Sequence, residues 1–201
     1  MTADVTLEPL LADPADRPAS LLVGHEANCC QLAQSWFRGM ARSLADEAVG
    51  PRWITARWCW GPGRWPLAWC EAVQRIELDC GALAHFAEVA FQEAGQSVIR
   101  LQLVETHTTE QCAQWTARWQ SVPEAPPWIW GNLVYHEAVG VLSGGQLRLW
   151  DSTDGRWRDP ADEAGKLRAI RLVRTSEGPK PPESLNWAGR ALPIGRWTPL
   201  C

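Results

Sequence analysis

The strongest constraint on how this chain folds lies late in its sequence. Two alternating apolar runs, Leu133 to Leu142 and Gln146 to Asp151, flank Ser143-Gly144-Gly145. Glycine enters the positive-φ region that a tight hairpin turn demands, so the two runs are expected to form an antiparallel β-hairpin. A hairpin fixes which side chains share a face, because a slip of one residue turns every side chain over. It can bring His136 of the first strand and Asp151 at the end of the second side by side, within hydrogen-bond reach. His136 stands eight residues before Gly144 and Asp151 six after Gly145. A bulge or a wider loop would absorb that mismatch.

Upstream, Glu77-Leu78-Asp79-Cys80-Gly81-Ala82-Leu83-Ala84-His85-Phe86 opens a helix. Leu83, Phe86, Ala87, Ala90 and Phe91 keep the helical period, and Gly95 suits the residue just past a helix end. A thiol at Cys80 would face backbone N–H groups that lack intrahelical partners, at the positive end of the helix dipole; both favour thiolate. Ser97 to Val104 then alternates as a strand, and Leu167 to Val173 gives another. A helix is expected from about Cys29 to Ala48 on Leu32, Trp36, Phe37, Met40 and Leu44, stopped by Gly50-Pro51, and a short one around Glu110 to Gln120. Residues 1–27 are expected to be an N-terminal arm, 28–174 the catalytic domain, and the Pro-rich 175–201 a C-terminal wrap or loose extension of a single-domain chain.

Composition excludes several functions. A net charge of −4 and a sequence pI near 5.6 leave no basic footprint for nucleic acid or an anionic membrane surface. The N-terminus lacks a basic segment followed by an apolar one, and no long apolar run occurs, so a soluble, cytoplasmic protein is expected. Seven cysteines, an odd number, then suggest reduced thiols. No CxxC occurs and the four histidines are not at structural-zinc spacings from the cysteines, so neither metal nor cofactor is expected. There are 14 tryptophans against one tyrosine and three phenylalanines. Most would be core, but Gly61-Pro62-Gly63 forces a turn in the stretch 53–69. There Trp58, Trp60, Trp65 and Trp69 either line an aromatic substrate cleft or tuck under the loop.

Cys80, His136 and Asp151 suit a thiol nucleophile, an imidazole that takes its proton and returns it to the leaving group, and a carboxylate that fixes the imidazole tautomer. Their order also carries a resemblance. Asp79-Cys80-Gly81 at a helix start, Tyr135-His136-Glu137-Ala138-Val139-Gly140-Val141 as a strand and Leu149-Trp150-Asp151-Ser152-Thr153-Asp154-Gly155 after it resemble the transglutaminase-like branch of the papain-like cysteine enzymes over about residues 74–157. Glu137-Ala138-Val139 departs from the aromatic that often follows the family's histidine, and Ser152 stands where proline is common. The resemblance implies an α+β fold with the nucleophile helix packed on an antiparallel sheet. It implies acyl transfer through a thioester on a peptide, protein or small acyl or amine substrate, with water or an amine as acceptor. Gln74, six residues before Cys80, has the spacing at which papain-like enzymes place an oxyanion donor; the Cys80 N–H is the other candidate.

Rival assignments remain open. Cys29 and Cys30 also sit at a helix start, with His25 just upstream. Asp154 competes with Asp151 as the orienting acid, whereas His85 lies at a different angle on the Cys80 helix. A catalytically silent relative, binding partners through its tryptophans, is the alternative to an enzyme.

Overall fold

The structure, a computed structural model, describes residues 20–24, 28–46, 49–63, 66–122, 128–144, 146–159, 163, 165–175 and 183–200. It is a mixed α+β architecture in which one buried helix packs on a large, mostly antiparallel sheet that curls into a nearly closed barrel. The helices are α1 (Asn28–Ser43), α2 (Trp53–Arg57), α3 (Trp69–Ala72), α4 (Cys80–Glu93) and α5 (Thr109–Gln120). The strands are β1 (Cys59–Trp60), β2 (Glu77–Leu78), β3 (Ser97–Thr106), β4 (Ile129–Trp130), β5 (Leu133–Ser143), β6 (Gln146–Asp151), β7 (Arg156–Arg158), β8 (Leu167–Val173), β9 (Ser184–Trp187), β10 (Arg190–Pro193) and β11 (Trp197–Pro199). Among the described residues, no helix is long and apolar enough to cross a membrane.

The hairpin forms as expected. Ser143 pairs with Gln146 across the turn, and the ladder runs back to Val139 and Trp150 without a bulge. The main sheet runs β10-β9-β6-β5-β3-β8-β11, with β4 on β5 and β7 on β6. Among the described residues its strands pair antiparallel except β6 with β9, which pair in parallel. A parallel bridge between Leu172 of β8 and Ile194, just past β10, brings the far side of the sheet round to β10. Strand alternation separates the two faces. Ile99, Leu101, Ala138, Leu147, Leu149, Leu172 and Leu192 fill the barrel, while Val139, Val141 and Trp150 face the helices.

Helix α4 is buried along nearly its whole length, as a helix enclosed between a sheet and other helices must be. Asp79 caps it by accepting the Ala82 N–H at 2.8 Å. At its far end Gly95 takes φ +78, with Gln96 N–H on the Phe91 carbonyl and Gly95 N–H on that of Gln92. That is a Schellman ending, and it explains the glycine.

Several local expectations are corrected. Helix α1 ends at Ser43, short of Ala48, and buries Cys30, Ala33, Phe37 and Ala41. Leu32, Trp36 and Leu44 are exposed. The small residues allow α1 to approach closely, so that Phe37 stacks on Phe86 with ring centroids 4.3 Å apart. The stretch 53–69 is not one irregular loop, since it contains α2 and β1. Of the two readings of the Pro-rich tail, wrap or loose extension, the described part is ordered: 184–199 carries three strands, with Leu185, Trp187 and Leu192 in the barrel core and Pro193 and Pro199 at strand ends. The expected arm falls mostly outside the described residues; of it, Leu22 is buried and Val23 bridges Ala68.

One buried ion network joins α4 to the sheet. Arg100 of β3 is inaccessible, 2.7 Å from Glu88 of α4 and 2.8 Å from Glu137 of β5. It also donates to the carbonyls of Ser20 and Gly81. Removing a single partner strands the remaining charges in the interior. Arg100→Leu is expected to lower the unfolding free energy by about 3–5 kcal/mol in denaturant titration. A loss below about 1 kcal/mol, the range of an exposed pair, would contradict this.

Candidate active site

Helix α4 and strands β5 and β6 bring Cys80, His136 and Asp151 together. Continuing the hairpin ladder one step past Val139–Trp150 sets Asp151 against Ala138. Asp151 is thus the diagonal neighbour of His136 on one face, a separation that side chains span. No bulge is needed. Nε2 of His136 stands 3.3 Å from Oδ2 of Asp151, close enough for an ion pair but not aligned as a hydrogen bond. Cys80 lies close enough to the imidazole that each shifts the other's protonation: His136 pulls the thiol pKa down and Cys80 pushes the imidazole pKa up.

All three side chains are buried or nearly so, and burial disfavours each charged form. Around His136 the surrounding charges prevail. Despite desolvation, Asp151, with help from Cys80 and Glu105, lifts the imidazole well above its usual value. Asp151 is pushed up by burial, yet His136, Arg158 and Thr153 hold it well below the carboxylate range. Cys80 behaves differently. Burial raises its thiol, and the His136 contact offsets only part of that. The expected thiolate preference at the helix start is therefore not met in the free protein: desolvation outweighs the helix terminus, and the nearby charges of Asp79 and Glu137 add to it.

Asp151 has a further partner. Arg158 of β7 contacts Oδ2 of Asp151 and lies 3.0 Å from Glu163 and 3.4 Å from Glu105. Thr153 donates to Oδ1 through its N–H at 2.8 Å and its hydroxyl at 2.6 Å. The carboxylate is thus held from three directions, and His136 meets an oxygen already fixed in place.

Cys80 and His136 border a cleft of about 600 Å³, with Asp151 behind His136. Cys80 and His136 line it beside Trp60, Trp115, Trp119 and Trp128, with Arg156 and Lys166 among its other residues. Of the tryptophans expected to form the cleft, Trp60 does so. Trp58 and Trp69 do not: both are buried beneath Phe37 and Phe86, at 4.7–6.0 Å between ring centroids. Trp65 lies outside the described residues, as does His25. Gln74 is not aimed at the site either; its amide donates to the Cys70 carbonyl at 2.7 Å, within the turn that ends α3. His85 Nδ1 accepts the Leu22 N–H at 2.6 Å. Burial, with Arg100 and Arg38, brings its pKa down to about 3, so it is a neutral structural group. Asp154 pairs with Arg156 at 3.0 Å and both are solvent-exposed.

Some cleft residues went unnoticed in the sequence although their signals were present. Trp115 and Trp119 are one helical turn apart, and the Thr108–Gln111 capping box fixes the start of their helix. Arg156 and Arg158 alternate on a strand that follows the Asp151–Gly155 turn directly, and Arg156 pairs with Asp151 in the ladder. Comparison with known proteins yields no matching family, characterised protein or solved structure.

Asp79 adds a pH dependence. Burial, reinforced by Glu137, raises its carboxyl from 3.8 to about 7 against the pull of the Ala82 and Gly81 N–H groups and Arg100. A carboxyl raised by folding binds its proton more tightly in the native state, so its contribution to stability declines as pH rises from 3.8 through about 7. Asp79→Asn keeps the cap and removes the charge beside Cys80. Denaturant titrations across that window should show a smaller decline for the variant. Iodoacetamide labelling of Cys80 should shift to lower pH; an unchanged labelling profile would contradict the coupling.

Proposed function

We propose that this chain is a thiol-dependent acyl-transfer enzyme with a transglutaminase-like, papain-like core, acting in the cytoplasm on a peptide, protein or small acyl or amine substrate. The observation that carries the reading is the convergence of Cys80, His136 and Asp151, drawn from a helix start and two hairpin strands, at an aromatic-walled cleft.

Cys80 Sγ attacks the carbonyl carbon of an amide or thioester while its proton passes to His136. Thiolate with imidazolium carries the same number of protons as thiol with imidazole, so the pair titrates as one unit. Asp151 favours the charged ring, which brings the ion-paired form within reach as substrate displaces water from the cleft. Asp79 engages the N–H groups of Gly81 and Ala82; the Cys80 N–H serves the developing oxyanion. Collapse of the tetrahedral adduct breaks the bond to the leaving amine or thiol, which departs with the proton from His136, and leaves a thioester on Cys80. Water or an amine, deprotonated by His136, then attacks that thioester and restores the thiol. Trp60, Trp115 and Trp119 fit an apolar or aromatic acyl group.

One observation favours a second reading, a silent binding protein of the same fold: burial leaves Cys80 a weaker acid than an ordinary thiol. An aromatic acyl thioester distinguishes the two. After a short incubation and acid quench, peptide mass mapping should find the acyl group on Cys80, and His136→Ala should slow its appearance by about 10²–10⁴-fold. Acylation confined to the exposed Cys29 and Cys59, with Cys80 unmodified, would refute the enzyme and favour the binding protein.

A further inference from the structure

A second thiol cluster lies outside the cleft. Cys29 and Cys30 open α1, and Cys70 sits in α3, forty residues from Cys30. The three Sγ atoms lie within 4.8 Å of one another, and Cys30 and Cys70 are 3.1 Å apart. Neighbouring side chains on a helix normally diverge by about a quarter-turn or more. Here both converge on a third sulfur brought in by distant chain. Sequence spacing could not show this, because two ligands are adjacent and the third arrives only through packing.

We propose that Cys29, Cys30 and Cys70 form a three-thiolate site for a thiophilic d¹⁰ metal ion, Zn²⁺, that clamps α1 to α3. Soft thiolate ligands select such ions. Zn–S bonds of about 2.3 Å in a tetrahedron hold sulfurs roughly 3.8 Å apart, so Cys30 and Cys70 need only ease apart. Binding releases three thiol protons to solvent. Cys30 and Cys70 are buried and Cys29 is exposed, so water completes the fourth position from the open side. The complex carries one net negative charge at the N-terminus of a 16-residue helix, where unpartnered N–H groups and the dipole favour anions. A Cys30–Cys70 disulfide is the competing chemistry. It would close the gap to about 2.05 Å and leave the convergence of Cys29 without a role.

The test is independent of the acyl-transfer reading. Full-length protein, reduced and then given Zn²⁺, is weighed by native mass spectrometry, and its affinity is measured against a chromophoric chelator. One ion per chain is expected. Cys29→Ser, an exposed change with little demand on folding, and Cys70→Ser should each lose at least about 10-fold in affinity, the lower end of what even outer ligand-shell changes cost. Cys59→Ser, an exposed thiol outside the cluster, should bind as the parent does. The proposal is overturned by no uptake in the parent, by equal loss in Cys59→Ser, or by a parent mass two hydrogens lower that maps to a Cys30–Cys70 disulfide.

Discussion

Arg100 holds together the two halves of the candidate site. Its guanidinium is inaccessible to water, donates to the Gly81 carbonyl next to Cys80, and pairs with Glu137 next to His136. Helix start and hairpin strand are thereby held to a common centre. Glu88 accepts from the guanidinium from the helix side as a second carboxylate partner, and Glu137 also accepts from the Tyr135 hydroxyl and the Ser20 N–H. An isolated buried cation would be costly; one with its carboxylates and carbonyls in place fixes geometry in a way that apolar packing alone does not. Gly81 belongs to the same arrangement. A Cβ there would meet the Ser20 side chain at 2.4 Å, so the segment beginning at Ser20 lies close against the helix start.

The reactive groups sit in a contest between desolvation and charge. Burial alone would leave a neutral thiol, a neutral imidazole and a protonated carboxyl. Arg158 changes that outcome at one end by pairing with Asp151, and ionised Asp151 in turn favours the imidazolium. Cys80 lies at the far end of the chain of contacts and receives least of this compensation, so burial raises its thiol despite His136.

Much of the fold was legible in the sequence because it is encoded locally. The glycine turn set the hairpin register, and the apolar period from Leu83 with Gly95 set α4. Cys80, His136 and Asp151 could be brought together on paper because they sit on those elements. What escaped notice depends on tertiary placement. Trp58 and Trp69 have the same local sequence character as Trp60, and only the packing of Phe37 against Phe86 draws them inward. Strands β9 to β11 are short and bounded by prolines, so their alternation was outweighed by turn-forming composition. Gln74 had a suitable spacing, but a nearby carbonyl satisfies its amide. The thiol pKa at Cys80 depends on burial, which no helix-start rule contains.

The central claim is that Asp151 makes the His136 ring more basic, so that it can take the Cys80 proton. It is tested most directly by following the His136 ring nitrogens by ¹⁵N NMR as pH is raised, in the parent protein and in Asp151→Asn. The account predicts a His136 titration well above 6.5 in the parent and a downward shift of at least about one pH unit when the carboxylate becomes an amide, since each unit represents about 1.4 kcal/mol of lost charge interaction. A parent His136 that titrates at or below 6.5, or one indifferent to the substitution, would contradict it.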